Sequence, residues 1–203
     1  MVNIMVSSGG AGAFHDNWVR YSSRSKAASI AQAMFLKPLK KHGFIKGSIL
    51  DVGCSRGEVT FEAAQVFPDA TITGLDLTGP YLRLPVVPTE ETARSGRVNF
   101  HKGDADALPF KDGSFDVVIC INVLHTVDNP VALLREIKRV TRPGGLLFIY
   151  CMRRSWLRFL YPSLRYGYTA DELNLIAARS GLLGYPIRQG LDWITITAPS
   201  DDW

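Results

Sequence analysis

The chain lacks both a long apolar segment and a recognisable leader. None of its 203 residues lie in an apolar run as long as the roughly 18 residues that a membrane-spanning helix needs. The segment from Met1 to Asn17 has no basic start followed by the apolar stretch of a secretory signal peptide. From these absences we expect a cytoplasmic protein without a transmembrane segment.

Cysteine is scarce. The chain has three cysteines, and two of them, Cys120 and Cys151, lie within apolar segments. An odd number of cysteines in such positions is typical of reduced thiols rather than of a disulfide framework. A chain of this length needs neither disulfides nor a metal to hold its core together, and we predict no metal site.

Concentrated charge of one sign is also missing. The net charge is +4 and the isoelectric point is near 9.0. The basic residues are spread over Lys37 to Lys46, Arg135 to Arg142 and Arg153 to Arg165. Spread charge is usually solvated surface, so a nucleic-acid partner is not expected. The oligomeric state stays open.

Alternating helical and strand-like segments are present throughout the chain, which we interpret as one domain, residues 1–203. Apolar and β-branched runs predict strands at Ser48–Val52, Thr71–Leu77, Val98–Lys102, Phe115–Ile121, Leu146–Cys151, Tyr185–Gln189 and Trp193–Ala198. Amphipathic runs and capping signals predict helices at Ser25–Lys41, Glu58–Phe67, from Pro130 to the Arg142–Gly145 turn, and from Thr169 to Ser180. The predicted fold is α/β, a Rossmann-like doubly wound sheet, mostly parallel with an antiparallel C-terminal strand pair and helices on both faces.

Acidic residues follow three successive predicted strands. Asp51 precedes the glycine turn Gly53–Gly57, Asp76 ends the second strand, and Asp104 follows the third. Parallel strands end at one sheet edge, where open α/β folds bind ligands. A carboxylate beside a glycine turn suits an ammonium group rather than a pyrophosphate, and Asp76 has the spacing of a ribose-binding acid. Asp104 and the backbone of Ala105 suit an adenine, although ordinary turn roles for Asp76 and Asp104 remain open.

Several segments resemble the class I S-adenosylmethionine-dependent methyltransferases, in the small-molecule, methyltransferase type 11-like branch. The resemblance rests on Ile49 to Gly57, Gly103 to Phe110, Ser114 to Val118, Val123 to His125 and Leu134 to Gly145. It covers roughly Ser48 to Cys151 in register. It implies S-adenosyl-L-methionine as the cofactor and in-line transfer of its methyl group to a small-molecule acceptor, anionic or aromatic.

The resemblance also implies a set of site residues. The cofactor-binding residues would be Asp51, Gly53, Cys54, Ser55, Gly57, Asp76, Leu77, Asp104, Ala105 and Ile121, with Tyr21 folding over the cofactor. His125 is the candidate general base and Asn122 the candidate for orienting the acceptor; packing of His125 against the sheet is the alternative. Ser55 stands where the family usually has glycine, so the turn must admit a Cβ.

Two segments outside the sheet are predicted to form the acceptor pocket. They are an N-terminal helical cap, residues 1–45, and a substrate lid, residues 153–168, in which arginine alternates with aromatic residues. The lid segment also fits an ordinary surface helix, a membrane-interface contact or an RNA site. Residues 79–96 contain three prolines, so we expect only a short helix there, beginning near Thr89.

Three other functions compete with methyl transfer. The pattern Gly53-x-Ser55-x-Gly57 fits the nucleophile elbow of a serine hydrolase, but no histidine follows His125 and no earlier strand could supply an oxyanion loop. An NAD-dependent oxidoreductase would also use Asp76, although its glycine pattern is incomplete. A non-catalytic cofactor-binding module would keep the same fold.

Overall fold

The computed structural model describes residues 24–78 and 96–198. The strands within these residues are β1 (Ser48–Val52), β2 (Thr71–Asp76), β3 (Val98–Lys102), β4 (Phe115–Ile121), β5 (Thr141–Met152), β6 (Ile187–Gln189) and β7 (Trp193–Ala198). The α-helices are α1 (Arg24–Ala31), α2 (Lys37–Lys41), α3 (Glu58–Val66), α4 (Pro130–Val140) and α5 (Ala170–Arg179). A π-helical segment (Gln32–Leu36) joins α1 to α2, and two 3₁₀ helices (Trp156–Phe159 and Pro162–Tyr166) follow β5.

The strands form one sheet in the order β3-β2-β1-β4-β5-β7-β6. The pairs among β1 to β5 are parallel, whereas β7 runs antiparallel to both β5 and β6. The predicted mostly parallel sheet with an antiparallel C-terminal pair is therefore confirmed.

Helices cover both faces of the sheet because alternate strand residues point to opposite sides. On one face, Leu50, Val118 and Ile149 pack with α4 and α5 in one apolar cluster. On the other face, Ile49, Ile119 and Phe148 pack with α1, the π-helical segment, α2 and α3. Near-continuous burial of β1 and β4 follows from this two-sided covering.

Most predicted strand limits are correct, but β5 begins five residues earlier than Leu146. The register explains the difference: Phe115 pairs with Thr141, and Val117 already pairs with Leu146. The Arg142–Gly145 turn is therefore accommodated as a bulge inside the strand rather than before it.

The N-terminal helical region is less regular than its sequence predicted, because Pro38 lies inside it. A proline lacks the backbone N–H and its ring clashes with the carbonyl four residues earlier, here that of Met34. The π-helical segment ends two residues before the proline and includes Met34, and the N–H of Lys37 donates to the carbonyl of Gln32, five residues back. The proline is thus tolerated by widening one turn.

The direction of this region is set by a short connection. Only residues 42–47 link the end of α2 to the start of β1, so α2 ends near the amino edge of the sheet. Phe44 contacts Phe67 just past the end of α3, whereas Gln32, further upstream, donates to Glu62 in the middle of α3. The chain before β1 therefore lies along α3 in the opposite order, and α1 begins toward the carboxyl edge, where α3 starts. Within the described residues, no helix is both long and apolar enough to cross a membrane.

Candidate functional site

The parallel strands deliver their last residues to one edge of the sheet. Val52 at the end of β1 pairs with Leu75 of β2 on one side and with Cys120 of β4 on the other. The chain winds outward from β1 through β2 to β3 and then crosses back to β4. The crevice between β1 and β4 is therefore the topological switch point, where open α/β sheets bind ligands.

The turn after β1 adopts a backbone that few side chains permit. Gly53, Ser55 and Gly57 have φ values of 72°, 49° and 83°. A Cβ at Gly53 would lie 2.2 Å from Cγ2 of Val123, and one at Gly57 would lie 2.9 Å from Cζ of Phe100. The turn therefore requires glycine at these two positions, while Ser55 is accommodated in the left-handed region.

Asp51 is buried at the end of β1. Its Oδ2 accepts a hydrogen bond from Oγ1 of Thr60, at 2.6 Å, on the first part of α3. Burial raises the pKa of Asp51 to about 7, aided by the nearby charge of Asp76 and opposed by the hydrogen bond from Thr60. A cation placed beside this carboxylate would favour its ionised form.

Asp76 joins the β1 turn to the chain that follows β2. One carboxylate oxygen accepts from the N–H of Ser55 at 2.9 Å. The other accepts from the N–H of Thr78 at 3.0 Å and from its hydroxyl at 2.7 Å. A carboxylate has about four acceptor sites, so these three bonds leave capacity for a further donor.

The turn after β3 lies next to Asp76. The N–H of Gly103 donates to the carbonyl of Asp76 at 3.0 Å. Asp104 is exposed and its Oδ1 accepts from the N–H of Asp106 at 2.9 Å, which is an Asx turn, whereas Ala105 is buried. The acids predicted after three successive strands thus reach one edge, and one of them also has an ordinary turn role.

Asn122 follows β4 with an unusual backbone and an unsatisfied side chain. Its φ is 59°, and its N–H donates to the carbonyl of Tyr150 at 2.8 Å. Its Oδ1 is shielded from solvent and accepts no hydrogen bond from the part of the chain that the structure describes. A strained residue with an unpaired buried oxygen beside a crevice is a candidate ligand contact.

The ring nitrogens of His125 are shielded from solvent as well. Burial lowers the pKa of His125 to about 4, so the ring is neutral near pH 7 and accepts a proton weakly. The neighbouring carbonyl of Leu124 accepts a hydrogen bond from the hydroxyl of Tyr168 at 2.9 Å.

The other predicted site residues differ in exposure. Ile121 and Cys54 are buried, and burial raises the pKa of the Cys54 thiol, which stays protonated. Leu77 is 61% exposed and Tyr21 lies outside the described residues, as do all of the N-terminal segment before residue 24 and the proline-rich residues 79–95.

Several contributors to the site were not predicted from the sequence. Thr60 donates a hydrogen bond to Asp51 and Thr78 donates one to Asp76. Val123 and Phe100 lie against the glycine turn. Thr60 could have been identified from the sequence, because a hydroxyl in the first turn of the helix after the glycine turn faces the end of β1, where Asp51 lies. The described residues contain no group of three or more histidine, cysteine or acidic residues arranged to hold a metal ion.

The chain is similar in sequence to known methyltransferases. A family model described as a methyltransferase domain matches residues 50–149. A demethylmenaquinone methyltransferase of Lactococcus lactis is 38% identical over 121 residues, which cover 59% of this chain and 47% of the relative. An uncharacterized methyltransferase of Schizosaccharomyces pombe is 31% identical over 83% of this chain and 60% of its own length. A ubiquinone biosynthesis O-methyltransferase of Colwellia psychrerythraea is 31% identical over 59% of this chain and 48% of its own length. This chain therefore spans about half the length of the curated relatives it matches.

Solved structures share the fold. A putative S-adenosylmethionine-dependent methyltransferase of Methanococcus maripaludis superposes with a TM-score of 0.65 at 17% identity, covering 85% of this chain and 90% of that one. Phosphoethanolamine N-methyltransferase 2 of Haemonchus contortus, in complex with S-adenosylmethionine, superposes with a TM-score of 0.59 at 26% identity. That match covers 75% of this chain and 37% of the other.

Proposed function

We propose that this chain, as a member of the class I S-adenosylmethionine-dependent methyltransferases, transfers the methyl group of S-adenosylmethionine to a small-molecule acceptor. One observation carries the proposal. Asp51 and Asp76 are buried side by side at the glycine turn of the switch-point crevice. Two buried acids favour a ligand that carries both a cationic group and hydroxyl donors.

The residues present fit this cofactor. We propose that the buried carboxylate of Asp51 receives its ammonium group, which leaves Oδ1 of Asn122, buried and unsatisfied by the described residues, for the acceptor. Position 53 has no room for a side chain, because a Cβ there would collide with Val123. We therefore expect backbone atoms of this turn to face the ligand. Asp76 retains acceptor capacity for ribose hydroxyls, and Asp104 with Ala105 would border the adenine.

When bound, S-adenosylmethionine supplies a methyl group on a positively charged sulfur, ready for in-line displacement. The protein's part is to align the acceptor and exclude water, so few catalytic side chains are needed. We propose that Asn122 orients the acceptor side of the crevice. The lowered pKa of His125 makes that ring a weak general base and favours a positioning role for it over proton removal.

We propose an aromatic acceptor of the quinone type. Two of the relatives are named for methylation in menaquinone and ubiquinone synthesis. The segment 153–168 supports an acceptor of this class, because it begins at the end of β5, on the carboxyl edge, and carries arginines and aromatic rings. The N-terminal cap, residues 1–45, would close the same edge, since α1 begins toward it; both are parts of the single domain proposed for residues 1–203.

We further propose a reducing compartment, the cytoplasm, as the site of action. All three cysteines are buried free thiols, which is typical of proteins made under reducing conditions.

Calorimetry with S-adenosylmethionine tests the cofactor assignment. We expect a saturable isotherm for the full chain, weakened at least about tenfold by Asp76→Asn because one hydrogen-bonding oxygen is lost. Asp69→Asn is the matched control, since Asp69 is an exposed acid in the turn between α3 and β2, at the amino edge of the sheet. A flat isotherm for the unmodified chain, or equal effects of the two substitutions, would contradict the proposal.

A second experiment tests the acceptor. It measures transfer of a labelled methyl group from S-adenosylmethionine to a panel of hydroxylated aromatic compounds.

A further inference from the structure

The segment after β5 forms a loop whose base is firmly attached. Arg153 and Tyr168 pair as an isolated β-bridge, and the N–H of Tyr168 donates to the carbonyl of Met152 at 3.1 Å. A Cβ at Gly167 would lie 2.3 Å from that same carbonyl oxygen, so the two ends of the loop touch. We call residues 153–168 the β5 loop; closed ends and a compact interior are features of an Ω-loop.

The interior of the β5 loop is anchored to the protein body. Leu164, in the second 3₁₀ helix, is buried in the described structure. The guanidinium of Arg154 pairs with Glu172 of α5, and that of Arg153 donates to the carbonyl of Gly190 at 2.7 Å. These contacts fix the β5 loop in place, so its remaining side chains are exposed in a defined conformation.

The tip of the β5 loop exposes large apolar side chains. Trp156 is 63% and Phe159 is 78% exposed, and Leu160 and Tyr161 follow them at the surface. Trp156 and Phe159 lie on the same side of a 3₁₀ helix, because residues i and i+3 eclipse each other. Four exposed residues of this size within residues 156–161 form a patch of the kind that marks an interaction surface.

Positive charge accompanies the patch. The β5 loop carries Arg153, Arg154, Arg158 and Arg165 and contains no acidic residue. The guanidinium carbons of Arg158 and Arg165 lie 4.8 Å and 4.6 Å from the centroids of the Phe159 and Tyr166 rings. Neither of these two arginines forms a salt bridge with the residues that the structure describes, so their charge is not neutralised there.

We propose that the β5 loop docks this protein on the surface of an anionic lipid bilayer. Tryptophan and tyrosine favour the headgroup level of membranes, leucine and phenylalanine enter the acyl boundary, and arginine attracts anionic lipid. A nucleic acid would use the arginines but not Leu160, and an apolar protein groove would not use the positive charges of Arg158 and Arg165, which form no salt bridge with the described residues. The loop also leaves the sheet at the candidate site's edge, so docking would bring that edge to the membrane. This role goes beyond methyl transfer and does not depend on it.

Vesicle co-sedimentation with the full chain tests the proposal. The vesicles are phosphatidylcholine alone, or phosphatidylcholine with about one third phosphatidylglycerol. We expect binding to the anionic vesicles, decreasing with salt, and little binding to the neutral ones. Arg158→Gln with Arg165→Gln should weaken binding about twenty-fivefold, at roughly fivefold for each basic residue near an anionic surface.

A second pair of substitutions tests what the apolar side chains contribute to vesicle binding. Trp156→Ser with Phe159→Ser should weaken binding more than about tenfold, because both side chains would lose their burial in the interface. The matched control is Ile45→Ser with Leu183→Ser, which removes side chains 66% and 80% exposed at the opposite edge of the sheet. The charge control is Lys40→Gln with Lys41→Gln, two exposed lysines at the end of α2. Both control pairs should bind vesicles like the unmodified chain.

Four results would overturn the proposal. One is failure of the unmodified chain to bind anionic vesicles at low salt, and another is equal weakening by the loop variants and their controls. A third is a self-association, measured by sedimentation velocity, that the Trp156→Ser and Phe159→Ser pair abolishes, since the patch would then cover a second copy. The fourth is tight binding of RNA that the arginine pair abolishes. Thermal unfolding of each variant checks that the fold is intact, and none of these readouts requires cofactor or methyl transfer.

Discussion

At the scale of single residues, Asp51 shows how a ligand site reduces stability. Its folded pKa of about 7 lies above its ordinary value of 3.8 because the carboxyl is buried. The folded state then holds a proton that the unfolded state releases, so stability decreases as pH rises from about 4 through 7. The shift corresponds to about 4 kcal/mol of destabilisation at and above neutral pH, at about 1.4 kcal/mol for each pH unit.

The substitution Asp51→Asn should therefore stabilise the cofactor-free protein, and more so at pH 8 than at pH 5. The amide keeps an acceptor for Thr60 while removing the buried charge. Thermal unfolding at the two pH values measures the effect, with the exposed Asp69→Asn as control. An increase in Tm that is the same at both pH values would contradict the raised pKa.

Cofactor affinity should show the opposite trend with pH. Below pH 7 the carboxyl of Asp51 is protonated and attracts an ammonium group less, so the affinity for S-adenosylmethionine should decrease by up to about tenfold for each pH unit. Calorimetry between about pH 5.5 and 7.5 measures this slope. In Asp51→Asn the slope should disappear and affinity should be low throughout; a slope that persists would assign the titration to another group.

The chemical identity of these residues was predictable, but their environment was not. Asp51 and Asp76 stand out in sequence because acids end successive strands beside a glycine turn. The partner of Asp51, Thr60, lies on another element, and the positive φ of Asn122 depends on how β4 leaves the sheet. Such properties arise from contacts between segments, which a sequence pattern does not specify.

At the scale of elements, the turn between β1 and α3 is fixed by steric fit. Gly53→Ala would place a methyl group 2.2 Å from Val123 and would force an L-residue to a φ of 72°. We expect a loss of about 3 kcal/mol of stability, from overpacking and left-handed strain together. Denaturant unfolding measures the loss.

A second substitution separates the two causes. Adding Val123→Ala to Gly53→Ala should recover the overpacking part and leave about 1 kcal/mol of strain. Gly43→Ala is the control for strain alone, because Gly43 has a φ of 87° and no atom within 4 Å of its Cβ position. If Val123→Ala recovers nothing, the contact with Val123 does not limit the turn.

Helix α5 gives a smaller test at this scale. Thr169 accepts from the N–H of Glu172 while the Glu172 carboxylate accepts from the N–H of Thr169, the capping box predicted from the sequence. Thr169→Ala should cost about 1 kcal/mol of unfolding free energy, and Thr169→Ser should restore most of it. Equal losses for alanine and serine would show that the hydroxyl is not the stabilising group.

Elements were predictable where local signals agree and less so where they conflict. The strands β1, β3, β4 and β7 begin and end where the apolar runs do. Pro38 and the Arg142–Gly145 turn look like interruptions in sequence, yet packing carries the helix and the strand across them with a π turn and a bulge. Tertiary contacts outweigh local preference at these two positions.

At the scale of the whole molecule, the crevice couples ligand binding to stability. S-adenosylmethionine at a hundred times its Kd should add about 2.7 kcal/mol to the free energy of unfolding, which for a chain of this size raises Tm by roughly 5–11 °C. Thermal unfolding with and without the cofactor measures the shift. Asp76→Asn should reduce the shift while Asp69→Asn should keep it; an unchanged Tm at saturating cofactor would contradict binding to the folded state.

The fold class, a mostly parallel sheet with an antiparallel C-terminal strand pair, was predicted from the sequence and is confirmed, whereas the strand order comes from the structure. Nothing in local sequence says which face each helix covers or that the β5 loop is held closed at its base. Those features depend on long-range contacts such as the bridge between Arg153 and Tyr168, and their functional roles rest on the proposals above.

The π-helical segment has one more consequence, which concerns insertions and deletions. A π turn holds one residue more than the α turn it replaces, so deleting a single residue between Gln32 and Leu36 would restore α-helical phase. Helix α1 would then keep its orientation, because the deletion removes only the extra residue that the π turn absorbs. A single-residue deletion within α1 or α2 has no such compensation and would rotate the helix on one side of it by about 100° and shift it by about 1.5 Å, so this turn is the one place among residues 24–41 where the loss of a residue leaves the packing face of α1 unchanged.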